Sequence, residues 1–145
     1  ETYEELLEDE KIDAVSICVP NEFHAKISIA ALKAGKDVLC EKPMAVTLEE
    51  CRQMAEAAEK TGQCLMIGQN QRLAKGHALA RKLIERGDQI QTNDKQTKSG
   101  VIDAFMDCIV HGKEAQLSGK SVLSAMEAVF ASIESAKTGK TIKIG

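Results

Sequence analysis

The sequence has 145 residues, 43% of them apolar, enough for one compact domain with a real core or at most two small ones. Charged residues make up 28% and the formal net charge is −3, which excludes a strongly basic nucleic-acid surface and a polybasic membrane anchor as defaults. Two prolines argue against a disordered chain, and one Tyr, three Phe and no Trp argue against a base-stacking platform.

The elements follow in chain order. Leu6 and Leu7 belong to a short leading helix. Residues 14–19 (AVSICV) form an apolar run with β-branched side chains, closed by Pro20, and predict a buried strand. Residues 23–34 carry Ile27, Ala30, Ala31 and Ala34 at helical spacing, with Gly35 as the stop. A second strand is expected at residues 37–40, closed by Pro43. A helix follows over 47–60, opening with the capping-box pair Thr47 and Glu50 and ending at Gly62. Residues 64–68 (CLMIG) predict a third strand. Strand, helix, strand, helix, strand with short connections implies α/β architecture: a partial doubly wound, Rossmann-like parallel sheet of about three strands with flanking helices.

The second half reads differently. A helix is expected over 76–86, closed by Gly87, and then comes the polar run 88–100 (DQIQTNDKQTKSG), the only plausible linker. Val101, Ile102, Phe105, Met106 and Ile109 share one helical face. Val122, Ala125, Met126, Val129, Phe130, Ile133 and Ala136 make a longer stripe on a helix running from near Ser118 to Gly139. Residues 141–144 alternate and suggest a short closing strand. No run approaches the ~18 apolar residues of a membrane span, and no secretory leader opens the sequence, so the expected setting is the cytoplasm with no membrane partner. The cysteines (Cys18, Cys40, Cys51, Cys64 and Cys108) are odd in number, and none forms a C-x-x-C pair. They read as buried thiols of a reducing compartment. His77 and His111 lie near helix ends and read as solvated, and no metal site is expected.

Polar residues gather where the strands end. Pro20-Asn21 follows the first strand, Glu41-Lys42-Pro43 the second and Gln69-Asn70-Gln71-Arg72 the third. Ligands of an open parallel sheet bind beyond the carboxyl ends of its strands. Each group alone is an ordinary strand terminus, but three at one edge point to a site. A proline after Lys42 keeps that residue out of the helical region, so its side chain can be aimed.

The segments IDAVSICVPNEFH, ALKAGKDVLCEKPMAVTLEEC and MIGQNQR, with the endings GVIDAFMDCIVHGKE and MEAVFASIESAKTGKTIKI, closely resemble the Gfo/Idh/MocA family of NAD(P)-dependent oxidoreductases. The resemblance covers nearly the whole chain apart from the polar run. It implies NAD or NADP as cofactor and a sugar, polyol or related hydroxyl or carbonyl compound as small-molecule substrate. It places Pro20, Asn21, His24, Glu41, Pro43, Asn70 and Arg72 along the cofactor and cleft, and Lys42 at the substrate oxygen as the catalytic residue assisting proton transfer. Leu73 departs from the aromatic residue usual after the arginine.

Family members also carry a Gly-rich phosphate loop and a large antiparallel substrate sheet, yet no G-x-G-x-x-G occurs here and the polar run 88–100 sits where that sheet would be. The resemblance therefore divides the chain into the nicotinamide-side half of a dinucleotide-binding domain (1–87), a polar linker in place of the substrate domain (88–100), and C-terminal helices packing on the same domain (101–145). It implies a truncated remnant or portion, catalytically incomplete alone, with weak or absent NAD or NADP binding. The alternative is a non-catalytic half-Rossmann interaction module. On either reading the unpaired edge of the first strand predicts a homo-oligomer.

Overall fold

The computed structural model describes residues 2–70, 74, 99–112 and 117–144. The elements predicted at 76–86 and most of the polar run lie outside them, as do Arg72, Leu73 and His77. Strands β1 (Ala14–Ile17), β2 (Asp37–Cys40) and β3 (Leu65–Ile67) form one sheet in the order β1-β2-β3, parallel throughout. Ala14 pairs with Asp37 at one end and Ile17 with Cys40 at the other; Val38, Leu39 and Cys40 face Leu65, Met66 and Ile67. Parallel neighbours need a crossover, and α2 (Asn21–Lys33) and α3 (Leu48–Thr61) supply it, preceded by α1 (Tyr3–Glu8). After the polar run come α4 (Ser99–His111) and α5 (Gly119–Thr138).

Local chemistry sets these boundaries. The capping box at α3 forms in both directions: Glu50 N–H donates to Thr47 Oγ1 at 3.2 Å, and Thr47 N–H donates to Glu50 Oε2 at 3.0 Å. The same T-x-x-E spacing caps α1 through Thr2 and Glu5, an equally local signal. Gly62 ends α3 at φ +74°, a left-handed geometry that only glycine adopts without strain. Helix α2 begins at Asn21, two residues before the expected start. Pro20 serves as its N-cap, and Phe23 N–H donates to Pro20 O at 2.9 Å. The earlier start shortens β1, which stops at Ile17 rather than at residue 19.

The closing strand expected at 141–144 does not form. An alternating tetrapeptide needs a sheet edge within reach, and these residues do not pair with the open edge of β1. The edge of β3 is taken by the turn before α5, where Ile67 N–H donates to Leu117 O at 2.9 Å and Met66 bridges Ser118 antiparallel. The last residues instead follow α5, with Ser135 Oγ donating to Lys140 O at 2.7 Å.

Period-two alternation splits the strands between two layers. Ile17, Val38, Cys40, Leu65 and Ile67 face one way and pack with Ala31 and Leu32 of α2, Met54 and Ala57 of α3, and Val122 and Met126 of α5. On the reverse face Met66 packs with Phe105 and Cys108 of α4 and with Leu117, flanked by Leu39 and Ala14. Helix α5 enters so close to β3 that a Cβ at Gly119 would stand 2.7 Å from Leu65 Cδ2. The C-terminal helices thus pack on the same sheet as the N-terminal half.

At the amino ends of the strands, polar side chains are spent on structure. Lys36, 7% exposed, donates from Nζ to Asp9 O at 2.9 Å. Asp37 Oδ1 accepts the Cys64 N–H at 2.7 Å, and Gln63 Nε2 donates to Gly35 O at 2.6 Å. Cys40, Cys51 and Cys108 are buried thiols and Cys64 is partly so, but Cys18 is exposed because β1 ends before it. Burial pushes the Cys40 and Cys51 thiols up to about 11 and that of Cys64 up to about 12.

Candidate functional site

The ladder ends in two bonds that carry the strand ends to one edge: Glu41 N–H donates to Ile17 O at 3.0 Å, and Gly68 N–H donates to Cys40 O at 2.7 Å. Beyond them stand Pro20 and Asn21 from β1, Glu41 to Pro43 from β2, and Asn70 from β3. Asn21, Glu41 and Lys42 are exposed, and Pro43 and Asn70 are half-buried. Glu41 Oε2 accepts the Lys42 N–H at 3.1 Å, which draws the carboxylate over the turn. Among the described residues neither the Lys42 ammonium nor the Asn21 amide has a hydrogen-bond or ion-pair partner. The Lys42–Pro43 peptide bond is cis.

The two residues after Pro43 anchor the turn. Met44 and Ala45 are 0% and 2% exposed and sit in the main core. An exposed ammonium thus stands two residues from a fully buried thioether. Sequence reasoning did not single out this anchor, although two apolar residues directly after a polar turn are a readable signal.

His24 differs from its expected place along the cofactor. It lies behind the edge, 1% exposed, with Nδ1 2.7 Å from the Pro43 carbonyl oxygen and Nε2 2.9 Å from that of Val19. The fourth position of α2 points inward, toward the turn that β2 makes. Arg72 lies outside the described residues. His111 is an exposed helix-end residue, 3.3 Å from Asp107 Oδ1.

A cavity of about 670 Å³ opens at the opposite end of the sheet, among Gln63, Cys64, Cys108, Ser118 and Leu123. It lies by the amino end of β3, away from the polar strand ends, and parallel sheets hold ligands at the carboxyl ends. The polar edge is therefore the better candidate. Among the described residues no three His, Cys, Asp or Glu side chains gather as a metal site, and no helix is long and apolar enough to cross a membrane.

An exposed carboxylate, amide and ammonium at the carboxyl edge of a parallel sheet can bind hydroxyl groups and a developing oxyanion. Residues 1–69 match the family model described as an oxidoreductase family with an NAD-binding Rossmann fold. The chain is 44% identical over 84 residues to 1,5-anhydro-D-fructose reductase of Ensifer adhaerens, covering 58% of this chain and 25% of that protein. A levoglucosan dehydrogenase solved with NADH and levoglucosan is 42% identical with a TM-score of 0.54, over 58% of this chain and 23% of that one. An aldose-aldose oxidoreductase from Caulobacter crescentus shares the fold more widely, with a TM-score of 0.82 over 97% of this chain and 82% of that one, at 17% identity. The chain spans about a quarter of the length of the curated relatives it matches. Residues 1–69, with their three parallel strands and Glu41-Lys42-Pro43 turn, are thus similar to the NAD-binding Rossmann part of the Gfo/Idh/MocA oxidoreductase family.

Proposed function

We propose that the chain forms the nicotinamide side of an NAD(P)-dependent oxidoreductase acting on a sugar, polyol or related hydroxyl or carbonyl compound. The observation that carries this reading is the exposed, unpartnered Lys42 beside Glu41 at the middle strand end of a parallel sheet. The residues fit the hydroxyl-bearing part of a dinucleotide: Glu41 offers acceptor oxygens, and Asn21 and half-buried Asn70 offer amides that both donate and accept. Pro20 and Pro43 would line the cofactor's path, with Arg72 on the segment after β3. The bound dinucleotide supplies the hydride acceptor or donor. The chain's own task is the proton. An alcohol losing hydride from its carbon must shed its O–H proton. A lysine at that oxygen stabilises the developing negative charge as ammonium, or accepts the proton as amine.

The same reading assigns residues 1–87 to the nicotinamide-side half, 88–100 to a linker and 101–145 to helices that complete the domain, in a protein of the cytoplasm. The sequence contains no glycine-rich pyrophosphate cradle, whose backbone amides and helix dipole supply much of a dinucleotide's grip. Titration calorimetry of the chain with NADH and NADPH should therefore give weak or undetectable binding, and sub-micromolar affinity would overturn that expectation.

Strand β1 supports an assembling role beside the enzymatic one. It lies at the sheet edge, Ser16 is exposed, and no described residue pairs with its outer side. We propose that a second copy pairs there. Light scattering after size exclusion should report a dimer or larger species, reduced to monomer by Ser16→Lys. A stable monomer at tens of micromolar would refute it.

A further inference from the structure

We propose that His24 is the positioning residue of the candidate site, a clasp that sets the β1–α2 turn against the Glu41-Lys42-Pro43 turn. Its place in the enzyme rests on the oxidoreductase reading above, but the clasp itself rests on geometry. The imidazole is 1% exposed and stands between two backbone carbonyls, with Nδ1 2.7 Å from Pro43 O and Nε2 2.9 Å from Val19 O. A neutral ring donates to one of these acceptors and a doubly protonated ring to both. Both distances are those of good hydrogen bonds.

The two turns have little else in common. The parallel ladder between β1 and β2 closes with Glu41 N–H donating to Ile17 O. Past that bond, among the described residues, no other hydrogen bond joins residues 18–20 to residues 42–45. The β2 turn is tied to the core on its far side by fully buried Met44 and Ala45, whereas the β1 turn has only half-buried Val19 against that core, and Pro20 and Asn21 are exposed. The ring therefore fixes how far Asn21, one residue past Pro20, stands from Lys42, one residue before Pro43. Site groups must be held to a fraction of an ångström to act together, and here a side chain buried beneath them does the holding.

A buried aromatic of similar size would fill the same space without the bonds, which separates clasping from packing. The test uses the chain labelled with ¹⁵N and ¹³C. In the unsubstituted chain a ring N–H should show through-bond coupling across a hydrogen bond to the carbonyl carbon of Val19 or Pro43. In His24→Phe the amides of Phe23 and Glu41, which donate to Pro20 O and Ile17 O, should exchange about tenfold faster, as expected for losing a buried hydrogen bond. The Val38 amide, which donates to Cys64 O at the other end of the sheet, should change less than about twofold. His24→Gln, able to reach one carbonyl, should fall between the two. Exchange that rises equally at all three amides, or at none, would overturn the proposal. Should His24→Phe fail to fold, the ring coupling decides, and its absence overturns the proposal. Titrating NADH or NADPH into the unsubstituted chain separates the two readings. Shifted signals at millimolar dinucleotide reveal a complex too weak for calorimetry, so undisturbed Asn21, Glu41 and Lys42 signals there would sink the cofactor assignment while leaving the clasp standing, and disturbed signals with unchanged exchange in His24→Phe would do the reverse.

Discussion

The two ends of this small sheet use polar residues in opposite ways. At the amino ends, Lys36, Asp37 and Gln63 each reach across to another element and satisfy a backbone group there. At the carboxyl ends, Asn21, Glu41 and Lys42 face outward, and none of their side chains bonds to another element among the described residues. Charged and amide side chains cost free energy to order, and the amino end recovers that cost by satisfying backbone groups that would otherwise be left unpaired. The Asn21, Glu41 and Lys42 side chains gain no such stability, so they are available to a ligand. The difference teaches where substitution should alter chemistry and where it should alter folding.

The largest expected effect breaks the carboxyl end alone. In a protein that carries this segment and turns over substrate, Lys42→Ala should lower kcat by roughly 10²-fold, the usual scale for losing an acid–base group. The same substitution should leave the urea unfolding midpoint of the chain almost unmoved, because the exposed ammonium has no bonding partner among the described residues. Unchanged turnover would remove Lys42 from the mechanism.

The amino end should respond the other way. Asp37→Ala strips the Cys64 N–H of its acceptor and should cost about 1–3 kcal/mol in unfolding free energy, with Asp37→Asn recovering part of it. An Asp37→Ala chain as stable as the parent would show that water replaces the carboxylate freely.

The smallest effect concerns pH. The thiols of Cys40, Cys51 and Cys64 hold their protons up to about 11 or 12 in the folded chain, against an ordinary value of 9.0. Their contribution to stability is full below about pH 9 and is lost as pH rises through the folded values, because the unfolded chain ionises first. Urea midpoints should fall on the alkaline side, and less steeply in Cys64→Ala. A fall of equal slope in both would assign it to other groups.

Much of this was readable before folding. The capping box of Thr47 and Glu50, the stops at Gly62 and Gly139 and the limits of α5 near Ser118 all act through bonds within a few residues, so local sequence suffices. The polar strand ends were legible too, since short crossovers bring successive carboxyl ends to one edge. The failure at residues 141–144 is non-local. Residues 141–144 alternate as a strand does, yet β3 has already given its edge to Leu117 and Ser118. β1 loses its last two expected residues because Pro20 caps α2.

His24 shows most clearly what local pattern cannot reach. In the sequence it follows Pro20-Asn21 and looks like one more polar group of the cleft. Its Nδ1 is held by a carbonyl 19 residues away, and that contact exists only once β2 has paired beside β1. Spacing along the chain determines which residues can share a helix turn or a strand end, because those relations follow from backbone geometry alone. Whether a polar side chain then faces water or a buried carbonyl depends on which other segment arrives opposite it. Only the packed tertiary structure decides that, since a buried polar atom must find its partner wherever the fold brings one.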